Sequence, residues 1–452
     1  MGFSNASALI VIVAAAWALA ASAVIAQTPV ADLAKPPANA TRYPVLSSAG
    51  RHGETAVWTA RDGVRWSRES INLRGQIYET DQAATLRPDG AVSRLTVRGV
   101  TPGGDAAETF TIDGGKASWR SRVDFGTKAY APGALYMAFG GTSDARILLF
   151  EALMAAPSHR AALIPSGEAR LEPLTTAFVG SAAEKRTLTA WEIVGLDFSP
   201  IPVWADDKGR FFAELDPTGL SVMAPGHEAD LAPLLAAQRA AAARRGPAVL
   251  ASLLQPVAGP VVFAHVEMFD ADAGVFRQDM TVIVEGEKIA FVGRAAPAVP
   301  NGARIIDGRG KALVPGLWDM HQHYGDDSSG PLLLSLGVTS VRDPGNNDAA
   351  TLDRRTRRAA GELLSPNVYP SALLDGRSPY TAQVGTVVTS QEEALAAVDK
   401  ARADEFTGIK IYGSFNPAWV TATAAEAHRL GLHVHGHVPA GMRPLDAVKR
   451  QL

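Results

Sequence analysis

The 452-residue chain contains no cysteine. Disulfides and a lipid-modified cysteine anchor are therefore excluded. Neither sign of charge is in large excess: the formal net charge is −3, which gives no electrostatic reason to expect nucleic acid as a partner. Arg354, Arg355, Arg357 and Arg358 form one basic run, read most simply as a solvated helix face. No low-complexity tract is long enough to suggest disorder. With 47% hydrophobic and 20% charged residues, the composition is that of a globular protein too long for one core, so two or three domains are expected.

One long apolar run stands out, ASALIVIVAAAWALAASAVIA at residues 6–26. Ala21-Ser22-Ala23 and Val24-Ile25-Ala26 supply the small residues a signal peptidase needs, although MGFSN carries no basic side chain. The expectation is a signal peptide over 1–26 and a periplasmic or secreted body. Left uncleaved, the same run could anchor the chain in a membrane.

A Pro/Ala-rich spacer follows over 27–45. Residues 46–227 read as antiparallel β, with alternating stretches such as Ala91–Arg98 between Asp62-Gly63, Asp89-Gly90 and Asp113-Gly114. Aspartate then glycine supplies the positive φ of tight hairpins. A helix near Ala145–Ala155 interrupts the strands, and a curved sheet or half-barrel is the expected shape. A helical linker spans 228–257, with its helix closed by Gly246-Pro247. Hairpins resume over 258–310, turning at Asp272-Ala273-Gly274 and Glu285-Gly286. From 311 to 452 strand-like segments (Ala312–Met320, Gly337–Arg342, Asn367–Leu373, Phe406–Tyr412, Gly431–Val438) alternate with helices, notably Ser390–Ala403 and Pro417–Leu430. Such alternation implies a parallel sheet, open or closed into a barrel.

The chemistry lies in this last region, which holds six of the ten histidines. Residues two apart on a strand point to one side, so His321 and His323 can converge on an ion. His433, His435 and His437 share the face opposite Leu432 and Val434. If the apolar face packs on helices, the imidazoles turn inward, a costly burial unless something binds them. By the same parity Lys410 faces away from Ile409 and Ile411, towards the histidines. A protonated lysine would oppose a metal there, whereas the carbamate formed with CO2 is an anion able to bridge two metals. The plainer alternatives are a lysine ion pair and hydrogen-bonded core histidines. Arg342 and Asp343 close the second strand and Tyr324 follows the HxH pair. Arg342 and Tyr324 are candidates for substrate contact, with ion pairing and packing as their respective alternatives.

Taken in order, VPGLWDMHQHYG, LGVTSVRDPGN, FTGIKIYG and LGLHVHGHVPAG resemble the metal-dependent amidohydrolase superfamily, in its prolidase-like and imidazolonepropionase-like branch. The likeness covers about residues 258–452. It implies a small β-sandwich over 258–310 and a TIM-type (β/α) barrel from 311. It also implies a metal-dependent hydrolase of amide, even dipeptide-like, C–N bonds, holding two divalent metals (Zn2+ first) and a carboxylated lysine. The implied ligands are His321, His323, the carboxylated Lys410 as bridge, and His437, with His435 in reserve and His433 deeper and structural. Metals so held lower the pKa of water to roughly 7. Lactones and phosphotriesters are split by similar sites, so these stand as alternative substrates.

A complete barrel needs eight strands and roughly 250 residues, and five strands are countable from Lys311 to Leu452. The family's sixth-strand histidine and its eighth-strand aspartate, the general base, have no counterpart in that stretch. The expectation is a C-terminally truncated hydrolase. The alternative is a non-catalytic extracytoplasmic binding or structural protein working through its β-rich half. Oligomerisation is left open.

Overall fold

The fold was established from a computed structural model, which describes residues 28–180, 185–294 and 298–452. The expected signal peptide over 1–26 lies outside the described residues. Among the described residues, no helix is long and apolar enough to cross a membrane.

Three sheets account for the strands among the described residues. The first has sixteen, from Thr41–Ser47 to Ser221–Met223, and its chain ends meet because those two strands pair antiparallel. Nearly every neighbour in it is a hairpin partner, as expected from the Asp-Gly turns. Gly63, Gly90 and Gly114 all take positive φ, and Asp62 and Asp89 accept a backbone N–H two residues on. The spacer is shorter than expected: the first strand begins at Thr41. Even the segment before it is anchored, because Leu33 is buried and Ala34 N donates to Asp81 at 2.7 Å. Helix Asp144–Ala155 interrupts the strands where expected. Ile147, Leu148, Phe150 and Leu153 are buried, while Arg65 pairs with Asp144 and Glu69 accepts from Ser143.

The linker helix departs from its expected end. It runs Leu231–Leu253, straight through Gly246 and Pro247. A side chain at Gly246 would lie 2.3 Å from the Glu362 carbonyl oxygen, so this glycine permits close contact between helix and loop instead of stopping the helix. Pro247 gives up one hydrogen bond without ending the helix.

The second sheet has five strands, with Val261–Asp270 and Val275–Glu285 as its centre. Its turns use Gly274 and Gly286 at positive φ. The third is wholly parallel: Leu317–Asp319, Val338–Asp343, Asn367–Gly376, Gly408–Ile411 and His433–Gly436 lie in that order, with Thr386–Val388 beside the third. The single strand expected over Ala312–Met320 is divided, since Ala312–Leu313 joins the second sheet. Helices Ser329–Ser335, Asp348–Ala359, Gln391–Ala403 and Val420–Arg429 alternate with these strands. Two of them start on side-chain caps, Asn347 to Ala350 N and Ser390 to Glu393 N. Ile409 and Ile411, both fully buried, pack with Val398, Val420 and Ala427 on the helix side.

The basic run is a solvated face only in part: Arg358 is exposed, but Arg354 and Arg357 are not. Arg354 is 6% exposed and donates to the carbonyls of Tyr324 and Gly325. Arg357 binds Asp327 and Asp353, while Arg355 and Arg358 reach backbone carbonyls of neighbouring segments. Arg-His-Gly at 51–53 resembles a phosphatase motif, but it lies within strand Gly50–Thr59 and His52 meets Ser47 at 2.6 Å.

Candidate metal centre

In a parallel sheet all strands end at one edge, so side chains at those ends gather without being near in sequence. His321 and His323 follow the first strand, Arg342 and Asp343 end the second, and Lys410 lies in the fourth with His435 beside it in register on the fifth. His437 lies just past the fifth strand, its N–H on the Ile411 carbonyl.

Lys410 is 2% exposed, on the side away from its isoleucines as parity requires. Among the described residues no carboxylate pairs with it. Its pKa is lowered, first by burial and then by Arg342, with Asp343 opposing and Arg74 adding. The ring centroids of His321 and His323 are 5.3 Å apart. His323 Nδ1 lies 2.6 Å from the Gly345 carbonyl. A carbonyl only accepts, so Nδ1 carries the proton and Nε2 is left as a lone-pair donor, the arrangement by which metal-binding histidines are oriented. Burial and then Lys410 hold His321 below its ordinary pKa. They act likewise on His437. For His435, burial, Arg342 and Lys410 push the value down to about 4. These rings are kept in the neutral form a metal needs.

The two fifth-strand candidates differ in their surroundings. His435 Nε2 is engaged with Ser371 Oγ at 2.9 Å. The His437 ring has no hydrogen-bond partner among the described residues and packs 4.2 Å from the Tyr412 ring. His433 is exposed rather than deep, and His437 is exposed too. Of the three, His435 alone is not exposed, so the expected cost of burying three imidazoles falls mainly on that one ring.

Tyr324 is not a substrate contact. It is 1% exposed, packed by Gly330 and under the guanidinium of Arg354, with burial raising its pKa to about 12. Arg342 does lie in the cluster, its Nε on the Met320 carbonyl at 2.7 Å, and it forms no ion pair with Asp343. Sequence reasoning missed Asp375. This buried carboxylate accepts three backbone N–H groups, from Gly376, Ala382 and Ser414, and fixes the loops around the site. An acidic residue ending the apolar run Ser371–Leu374 was the available signal.

Among the described residues no group of three or more His, Cys, Asp or Glu side chains is placed to hold a metal. A lysine falls outside that set of residue types, and the arrangement depends on one. The histidine pair with one oriented ring, a buried unpaired amine and neutral imidazoles on either side of it fit a metal held partly by a modified lysine. A cavity of about 840 Å3 lies elsewhere, between the large sheet and helix Asp348–Ala359, and none of these residues lines it.

No family model matches the chain. Imidazolonepropionase of Streptomyces griseus is 31% identical over 126 residues, 26% of this chain and 31% of that protein. Imidazolonepropionase of Idiomarina loihiensis is 56% identical over 95 residues, 20% and 23% of the two chains. Dihydroorotase of Syntrophus aciditrophicus is 31% identical over 112 residues, 22% and 26%. Among solved structures, a prolidase complexed with N-methylphosphonate-L-proline superposes with a TM-score of 0.37 at 24% identity, covering 42% of this chain and 59% of that one. The curated relatives are thus imidazolonepropionases and a dihydroorotase, each similar to this chain over about a quarter or less of its length, and the chain spans about a third or less of theirs.

Proposed function

We propose that the chain is an amidohydrolase-type hydrolase that opens amide C–N bonds of small molecules, peptide-like ones included, in the periplasm or outside the cell. In this reading residues 311–452 are part of a TIM-type (β/α) barrel, 258–310 its accompanying β-sandwich, and 46–227 a separate β domain joined by the helical linker. His321, His323 and His437 hold divalent metal, zinc first, with His435 in reserve. The neutral amine of Lys410 would add to CO2, forming an N–C bond and releasing one proton to solvent, and the carbamate would supply an anionic oxygen ligand beside the histidines. Metals in such a site acidify water and polarise a carbonyl oxygen.

The chain's own residues do the rest. Gly345 fixes the His323 tautomer, Asp343 and Asp375 brace the loops, and burial, helped by Arg342, disfavours the charged form of Lys410. The observation that carries this reading is Lys410, buried beside the histidines without a carboxylate partner.

Metal content of purified protein, prepared with bicarbonate, tests it alongside a screen of amide substrates. The full chain is expected to retain divalent metal, and Lys410→Ala to bind it at least tenfold more weakly. A wild-type chain that takes up no divalent metal would sink the mechanism. One observation favours a second reading, a binding protein: the ligand face carrying His321 and His437 is exposed. Tight metal binding with no hydrolysis across the screen would select it.

A further inference from the structure

The sixteen-stranded sheet lies outside the superfamily likeness, yet one of its hairpins reaches the candidate centre. Strands Arg65–Leu73 and Gln76–Leu86 are joined by Arg74 and Gly75, both at positive φ, 54° and 80°. A left-handed arginine is an uncommon conformation, and here it projects the side chain out of the turn. Gly75 is needed for the approach, because a Cβ there would stand 2.9 Å from the Tyr380 ring. The neighbouring hairpin seats the same way, with Ser48 Oγ donating to the Gln383 carbonyl.

Arg74 Nη1 donates to the Tyr412 hydroxyl, 338 residues away in sequence. Tyr412 is the hub of the cluster: its ring lies 4.2 Å from the His437 ring, 5.4 Å from Lys410 Nζ and 5.7 Å from Arg74 Cζ. Arg74 and Arg342 thus bring two guanidinium cations to one end of the parallel sheet, beside the Lys410 amine, whose charge burial disfavours. Among the described residues none of the three has a carboxylate partner. The nearby Asp375 has both oxygens committed to backbone N–H groups. Arg74 Nε is buried with no acceptor among the described residues. An unpaired buried donor on a charged group is costly, and a guanidinium is shaped for bidentate carboxylate binding.

We propose that Arg74 is a substrate-binding arm lent by the N-terminal sheet, holding the carboxylate of an acyl-amino-acid-like ligand at the mouth of the metal centre. The proposal rests on the hydrolase reading for the identity of the site and adds the charge of what enters it. The sheet then has a role in selection: it admits ligands bearing a carboxylate over neutral amides of the same shape.

The test uses the full chain, loaded with zinc and bicarbonate, and two probes of matched shape, N-acetylalanine and N-acetylalaninamide, with binding followed by calorimetry. Wild type is expected to bind the acid at least tenfold more tightly than the amide. Arg74→Gln is expected to remove that preference by weakening the acid at least tenfold more than the amide, and Arg74→Lys to restore part of it. Equal loss of both probes, or a preference that survives Arg74→Gln, overturns the proposal. Should Arg74→Gln not fold, Tyr412→Phe removes only the hydroxyl that receives the arginine and is expected to weaken the preference at least threefold; no change in preference overturns the proposal. Metal content, measured on the same samples, separates the two failures: a chain without metal fails as a hydrolase, whereas a metal-loaded chain without acid preference fails only here.

Discussion

Lys410 shows how little of a residue's role lies in its own chemistry. On a surface it would be one of many solvated amines. Flanked by Ile409 and Ile411, which face the helices, it is forced to the opposite side, where burial and Arg342 disfavour its charge. Asp348 is the acidic counterpart. Burial first, then Asp404 and Asp343 against an opposing Lys400, raise its pKa from 3.8 to about 6, and its Oδ1 has no partner. A carboxyl whose folded pKa is raised binds its proton more tightly folded than unfolded. Its contribution therefore favours folding below pH 3.8 and is lost as pH rises through about 6. Asp348→Asn should be about 1 kcal/mol more stable than wild type above pH 6, after discounting the shift for partial solvent access. The two should converge near pH 3.5. Urea unfolding at both pH values checks this, and an equal difference at both would remove the carboxyl as the cause.

At the scale of elements, Gly246 gives the sharpest contrast between local preference and packing. Alanine is the better helix former by about 1 kcal/mol, so an isolated helix would gain from Gly246→Ala. In the protein the new methyl would meet the Glu362 carbonyl at 2.3 Å, a backbone atom that cannot swing away. Overpacking of this kind costs roughly 1–3 kcal/mol, so the variant should be less stable by denaturant unfolding, and a gain would contradict the contact. The helix carrying the basic run follows the same logic. Its arginines tie down the loop after the first parallel strand, the loop from Tyr324 to Asp327, which leads directly from the HxH pair.

At the scale of the molecule, the halves are tied by contacts far apart in sequence: Arg74 to Tyr412, Ser199 to Asp326 at 3.2 Å, and Arg239 to Asn347. Asp327 sits in this region between Arg354 and Arg357, whose side chains are 7% and 12% exposed. Removing one partner of a buried ion cluster leaves uncompensated charge, worth roughly 3–5 kcal/mol. Asp327→Ala is expected to lose about 3 kcal/mol while unfolding in one step, with tryptophan fluorescence and far-UV circular dichroism coincident. Two separated transitions would mean that the halves are stable independently.

Much of the architecture was legible in the sequence because its causes are local. Asp-Gly turns, two-residue alternation and the later β/α alternation each act within a few residues, so the antiparallel sheet, the hairpins and the parallel strands fell where expected. Lys410 was legible for the same reason: strand parity decides which way its side chain points before any partner is known, whereas His321 and His323 follow the strand Leu317–Asp319, where parity does not act. Tertiary structure alone decided the rest. It turned Gly246 from a helix stop into a contact, Tyr324 from a site residue into core, and Arg354 and Arg357 from a solvated face into clamps. It also left His433 and His437 exposed and carried Arg74 to Tyr412. Each of these outcomes depends on what a side chain meets across tens to hundreds of residues of chain, and no local pattern encodes that meeting.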